Sequence, residues 1–380
     1  MFKFAGIILC CALAIFLAGC ATTSGPEDAV PPDWSTNGVI AKPVLPTNAV
    51  AILVLVKTNP PPMLKTNLPP VVAAHTNPLP PAMLRPAPIL TWTSLDRWAA
   101  ENKIDPLKRL NGGPTTRYYL DAKSGLLILE IGSREAIWRG MQFHLGYAPE
   151  IIDNQVFIHG LDLQKNLTPL MFSGPLTFGT NKVVVIDPGH GGVNGGTVSV
   201  LDKRPEKEFT FDVARRMKPL LEQAGWQVFL TRTNDVDVAL SNRVAVAENH
   251  HADLFISLHF NSVPLDHRPA GLATFCLTPL GMPSTITRDY PDIIWQGFPN
   301  NNFDAQNLLA AAQLHRSILH ATGEEDRGVN RARFMGVLRG QRRPSVLIEA
   351  GFLSNPADAR RIENPDFRQK LAEGIANALK

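Results

Sequence analysis

Four consecutive β-branched residues, Val183-Val-Val-Ile186, form an unbroken apolar run that is cut short by Asp187-Pro-Gly-His190-Gly-Gly192. A short apolar run closed by turn residues is the pattern of a strand buried on both faces. From here to the C-terminus such runs alternate with stretches of helical periodicity. Strands are predicted near 183–186, 227–231, 254–258, 271–277, 335–338 and 345–349, and helices near 207–224, 240–250, 305–321 and 366–379. This alternation predicts an α/β domain over 180–380 with a largely parallel sheet and helices on both faces.

The N-terminal half falls into three parts. Residues 5–18 are almost wholly apolar after Lys3 and end at Leu17-Ala-Gly-Cys20, the build of an export signal over 1–19. The run is shorter than the roughly 20 residues that a membrane-spanning helix needs. Residues 20–90 read as a proline-rich tether, since 21–90 hold 15 prolines and seven charged residues, with Thr-Asn recurring at 36, 47, 58, 66 and 76. Clusters such as Pro60-Pro-Pro62 remove backbone donors and favour polyproline II, so the tether is expected to be disordered. Over 91–175 proline thins out and a small α+β domain is predicted. It has a helix near Ser94–Glu101 and strands near 117–120, 126–130 and 155–158.

Composition narrows the function. The formal charge of +3 is small and scattered, with no basic stripe, which argues against a nucleic-acid partner. The four cysteines, Cys10, Cys11, Cys20 and Cys276, show no CxxC spacing, so neither a disulfide scaffold nor a zinc ribbon is expected. Cys276 sits in the apolar run Ala273-Thr-Phe-Cys-Leu277 and reads as a small buried hydrophobe. His144 and His159 lie on apolar segments and read as satisfied structural residues.

Three predicted strands end in chemistry. The first ends at Asp187-Pro-Gly-His190, the third at His259-Phe-Asn261, and the last at Glu349-Ala-Gly-Phe352. The carboxyl ends of parallel strands share one rim, so two histidines and a carboxylate converge there. A lone histidine in such a place would imply nothing. A fourth candidate lies in Arg204-Pro-Glu206-Lys-Glu208, at the start of a predicted helix, where either glutamate is a capping residue or turns towards the rim. Two imidazoles and one carboxylate with an open fourth position is the arrangement of catalytic zinc in several hydrolases.

Two resemblances extend this reading. Leu17-Ala-Gly-Cys20 resembles the lipobox of bacterial lipoproteins, which implies lipidation of Cys20. Ala21 after it implies sorting to the outer membrane, with the protein facing the periplasm. The second is carried by Val183-Val-Val-Ile-Asp-Pro-Gly-His-Gly-Gly192, Glu206-Lys-Glu-Phe-Thr-Phe211, Leu230-Thr-Arg-Thr-Asn-Asp235, Leu240-Ser-Asn-Arg243, Ala252-Asp-Leu-Phe-Ile-Ser-Leu-His259-Phe-Asn261, Asp326-Arg-Gly-Val329 and Pro344-Ser-Val-Leu-Ile-Glu349-Ala-Gly-Phe-Leu-Ser-Asn355. In order and spacing these resemble the zinc-dependent N-acetylmuramoyl-L-alanine amidases of the amidase-3 type.

That resemblance implies one Zn2+ per catalytic domain, held by His190, Glu206 and His259, with Glu349 as the catalytic carboxylate. It implies hydrolysis of the amide between N-acetylmuramic acid and L-alanine in peptidoglycan by zinc-activated water. A zinc peptidase acting on cross-links and an inactive wall-binding lipoprotein are the competing expectations; an activator protein is left open. Asp187 is expected either to accept the second ring proton of His190 or to cap the turn. Arg232, Arg243, Arg327 and Arg339 are read as surface or packing residues before contacts to peptide carboxylates. Two features depart from the family pattern: Phe260 follows the second histidine where a small residue is commoner, and 193–205 lacks the usual Asp-Pro-Gly-Ala run. Residues 279–304 form an insertion that in some relatives covers the metal; a plain variable loop is the expectation here. Residues 91–175 weakly resemble the copper-amine-oxidase-N-like stalk domains of envelope proteins, which implies spacing or wall binding and no copper.

Overall fold

The computed structural model describes residues 91–286 and 291–380. The export signal, Cys20 and the tether lie outside the described residues.

The N-terminal described segment runs β1 (Trp92–Ser94), α1 (Leu95–Glu101), β2 (Lys108–Leu110), β3 (Arg117–Ala122), β4 (Gly125–Glu130), β5 (Glu135–Trp138), β6 (Met141–His144), β7 (Glu150–Ile152) and β8 (Gln155–His159). Short helices follow, α2 (Gly160–Asp162) and α3 (Thr168–Phe172), joined by a π-helical turn at Leu163–Leu167. The Ser94 hydroxyl accepts from the Arg97 N–H and caps α1. Strands β2 to β6 form an antiparallel meander, and β1, β8 and β7 form a separate three-stranded sheet.

The C-terminal segment continues with β9 (Lys182–Pro188), α4 (Glu206–Gln223), β10 (Trp226–Leu230), α5 (Leu240–Asn249), β11 (Leu254–Asn261) and β12 (Leu272–Cys276). It closes with α6 (Asp304–Thr322), β13 (Asp326–Arg331), α7 (Gly336–Arg339), β14 (Ser345–Phe352), α8 (Pro356–Glu363) and α9 (Pro365–Ala378). These strands stand in the order β10-β9-β11-β14-β12-β13, and the meander extends the same sheet from β13 through β6. Neighbours are parallel except β12, which runs against β14.

The apolar runs explain the layers. Val184, Ile186, Leu254 and Ile256 turn to one face, where they meet Phe209 and Val213 of α4, Leu314 of α6 and Leu371 of α9. Val185, Phe255 and Leu347 turn to the other, against Ala247 of α5 and Val337 and Leu338 of α7. Each such side chain contributes roughly 1.5–3 kcal/mol by leaving water. The Trp226 indole donates to the Leu379 carbonyl at 3.1 Å and ties the last helix to the sheet edge.

The expected strand at 335–338 is instead the helical turn α7, and the strand is β13, ten residues earlier. Phe334-Met-Gly-Val-Leu338 is apolar because it packs under the sheet, and a run this short does not distinguish a helical turn from a strand. β13, with the sequence Asp-Arg-Gly-Val-Asn-Arg, carries no apolar run at all. Its polar groups are satisfied by partners distant in sequence: Arg331 donates to the Lys165 carbonyl and Asn166 Oδ1, and Asp326 accepts from the Gln142 N–H.

Strand direction also places the insertion. Ala273 lies beside Glu349 and Phe275 beside Leu347, so β12 leads away from the carboxyl end of β14. Residues after Cys276 therefore emerge at the opposite end of the sheet from Glu349. Asn300 bonds the Arg343 carbonyl, just before β14 begins, which fixes the far side of the insertion at that same end.

Candidate metal centre

Asp187 through Gly192 leave β9 in a turn that the surrounding polar groups hold on every side. Asp187 is fully buried, and its carboxylate accepts from Thr231 Oγ1, Ser257 Oγ and Arg243. Complete burial opposes its charge, but Arg243 and the two hydroxyls outweigh that and hold the carboxyl below its usual range. Arg243 also donates to the carbonyls of Pro188 and His190, and Arg232 to those of Pro188 and Gly189. Burial and the neighbouring Arg243 lower the Arg232 guanidinium to about 10. Both arginines are thus braces of the turn. Arg327 lies over Phe352 and Arg339 over Phe298.

The bracing supports an unfavourable backbone. His190 adopts φ 60°, the left-handed region that non-glycine residues rarely enter, which costs of order 1–3 kcal/mol and is found at functional sites. This conformation turns the ring back over the end of β9. From the other side Glu206, the first residue of α4, is fully buried while Glu208 is exposed, so the helix start resolves which glutamate faces inward.

Three side chains meet here. Glu206 Oε2 lies 3.1 Å from His190 Nε2, and Glu206 Oε1 lies 2.9 Å from His259 Nδ1. Ligand atoms from all three lie within 4.8 Å of one another, and among the described residues this is the single such group of histidine, cysteine and acidic side chains. The carboxylate is aimed by backbone: Phe260 N–H donates to Oε1 and Thr197 N–H to Oε2. Burial opposes the charge of Glu206, yet the two histidines reverse this and lower its carboxyl. Burial likewise pushes the His190 imidazole down, and Glu206 outweighs it, leaving the ring above its usual value.

Two glycines permit this closeness. A Cβ at Gly189 would stand 2.3 Å from the His259 ring, and one at Gly196 2.5 Å from Glu206 Oε2. Gly196 also has φ 72°. Glu349 stands in β14 directly beside His259 of β11 and is buried. Phe260, the departure from the family pattern, packs its ring against Phe209 beneath the site.

The donor set fits a zinc ion. His190 Nε2 is buried and makes no hydrogen bond although it faces a carboxylate oxygen, and two imidazoles with one carboxylate are ordinary zinc ligands. Asp187 does not take the second ring nitrogen of His190, because both its oxygens are engaged elsewhere. That nitrogen, Nδ1, meets Asn194 Oδ1 at 2.8 Å. Asn194 and Gly196 escaped the sequence reading, whereas Arg232 and Arg243 take the packing role it gave them. The Gly-Gly spacing around residue 194 is the one trace of a close approach there.

A mixed α/β sheet with a buried His-Glu-His cluster at the carboxyl ends of its strands defines a metallohydrolase-like site. The N-acetylmuramoyl-L-alanine amidase family matches residues 184–380, more than half of the chain, and the chain belongs to that family. The N-acetylmuramoyl-L-alanine amidase AmiC of Escherichia coli O6:H1 is 32% identical over 244 residues, covering 58% of each chain. The sporulation-specific N-acetylmuramoyl-L-alanine amidase of Bacillus subtilis is 33% identical, over 52% of this chain and 66% of its own. The catalytic domain of the N-acetylmuramoyl-L-alanine amidase CwlV of Bacillus (Paenibacillus) polymyxa is 32% identical, covering 52% of this chain and 95% of that one with a TM-score of 0.43. This chain spans less than two thirds of the length of these two curated relatives.

Proposed function

We propose that the protein is a zinc-dependent peptidoglycan hydrolase that cleaves the amide between N-acetylmuramic acid and the L-alanine of the stem peptide. The observation that carries this is the buried His190–Glu206–His259 cluster with Glu349 beside it, in a member of the amidase family. His190, Glu206 and His259 are the residues that would hold the ion. Bound zinc supplies a Lewis acid that polarises the scissile carbonyl and makes water more acidic. Glu349 takes the proton of the attacking water and returns it to the departing amine of L-alanine. Because an amide nitrogen leaves poorly without a proton, the return step needs the same carboxyl group as the attack.

The remaining chain supports delivery. Cys20 is the proposed lipid-bearing residue, and several acyl chains at about 0.8 kcal/mol per buried methylene hold a protein stably on a membrane. The outer membrane, facing the periplasm, is the proposed location. Residues 20–90 serve as the tether and 91–175 as a stalk.

The test is digestion of purified peptidoglycan by the full chain, with and without chelator, beside Glu349→Gln. Mass spectrometry of the products should show free peptides beginning at L-alanine and muramic acid without peptide. Cuts inside the peptides would replace this reading with a peptidase.

A further inference from the structure

We propose that Asn194 is the positioning residue for His190: it holds the imidazole by Nδ1–H and thereby presents the Nε2 lone pair to the metal. The ion is named from the function proposed above, but the positioning itself follows from hydrogen bonds alone.

The turn that follows His190 brings Asn194 back beneath the ring. Gly191 and Asn194 exchange backbone hydrogen bonds, N–H to carbonyl in both directions, at 2.8 and 3.1 Å. The Asn194 side chain then reaches His190 Nδ1 at 2.8 Å. Which end of the amide faces the ring follows from a third group. The Gly196 N–H points at the same side-chain atom at 3.2 Å, and an N–H needs an acceptor there. An amide nitrogen has no lone pair to offer, so the shared atom is the oxygen.

An oxygen acceptor facing Nδ1 requires the proton on Nδ1. In the neutral ring Nε2 is then the unprotonated nitrogen. It lies 3.1 Å from Glu206 Oε2, an acceptor that already takes the Thr197 N–H, and it has no hydrogen bond of its own. In that neutral ring two acceptors face each other in a buried place, a repulsion that a proton or a metal ion between them relieves. Asn194 therefore leaves Nε2, rather than Nδ1, as the ring nitrogen able to take a metal ion. Among the described residues, the two carboxylates nearest the turn are already engaged. Asp187 is held by Thr231, Ser257 and Arg243, and the Asp235 carboxylate by Lys207 and the Gly192 N–H. Groups that orient metal-bound histidines in this way typically change metal affinity 10- to 100-fold when removed.

The experiment measures zinc affinity of the full chain by chelator competition, with no substrate present. Asn194→Ala should weaken zinc binding by roughly 10- to 100-fold. Asn194→Asp, which keeps an oxygen acceptor, should restore affinity to within about threefold of the parent. An Asn194→Ala protein that binds zinc as tightly as the parent overturns the proposal, and so does failure of Asn194→Asp to rescue. Ring-nitrogen NMR of the unsubstituted zinc-loaded protein decides the matter even if the variants fold poorly. A proton on His190 Nδ1 supports the assignment, and metal on Nδ1 refutes it. Absence of hydrolysis with these binding results intact would count against the proposed reaction and leave the positioning role standing.

Discussion

Glu349 and His259 occupy the same level of adjacent parallel strands, β14 and β11, so the proposed proton carrier and a proposed metal ligand are set side by side by backbone pairing. Neither depends on a loop for its place. Replacement of Glu349 by glutamine keeps shape and burial while removing the base. Hydrolysis should fall by about 10²- to 10⁴-fold with the thermal midpoint little changed. Release of soluble peptide from labelled peptidoglycan reads the first and calorimetry the second; activity within tenfold of the parent would move the proton to another group.

Chelation should abolish hydrolysis, and added zinc should restore it. Because an ion bound only by the folded state stabilises it by RT ln(1 + [L]/Kd), zinc at 1,000 times its Kd adds about 4 kcal/mol. The melting temperature should therefore drop on chelation. His259→Ala should show a low midpoint that zinc no longer raises.

Arg243 and Asp187 form a buried pair, with side chains almost wholly withdrawn from solvent and 2.7 Å apart. Arg243→Ala leaves the Asp187 charge without its counter-charge and strips three carbonyls, those of Val238, Pro188 and His190, of a donor, a loss of roughly 3–5 kcal/mol. Adding Asp187→Asn should recover part of that loss, because the second change removes the stranded charge. Urea unfolding of both variants and of the double variant measures the coupling. Simple additivity would show that the two residues act independently.

Glu324 gives stability a pH dependence distinct from the site. Burial, and then the nearby Asp358 carboxylate, raise its carboxyl to about 8, against partial relief from Thr322 and Arg361. A raised folded pKa means that the protonated form is favoured in the folded chain. The stabilising contribution is complete below the unfolded value of 4.5 and is lost as pH climbs through about 8. Glu324→Gln should thus change stability little at pH 5 and raise it at pH 9 relative to the parent. Urea midpoints at the two pH values check this, and an equal effect at both would remove Glu324 from the account.

What the sequence disclosed follows from where each signal lives. Val184, Ile186, Leu254 and Ile348 write their burial into apolar runs, so the central strands were legible. His190, His259 and Glu349 sit at the ends of those runs and could be placed on one rim from strand direction alone. β13 was hidden because Asp326, Asn330 and Arg331 are satisfied by residues more than a hundred positions away or by their own turn. Asn194 was hidden because its role depends on the left-handed turn at His190, which no local pattern announces. Adjacency in sequence left Asp187 between the His190 ring and the turn, because the partners that decide it, Thr231 just after β10 and Ser257 on β11, are distant in the chain.

The reversal of β12 separates the two ends of the sheet by role. Residues beyond Cys276 are handed to the end of the sheet remote from Glu349, where Trp295 stands exposed. A sequence change or a fused reporter at that end adds bulk without narrowing the path by which a polymer strand approaches the chemistry. The rim that holds Glu349 and the end that holds Trp295 can therefore be altered independently.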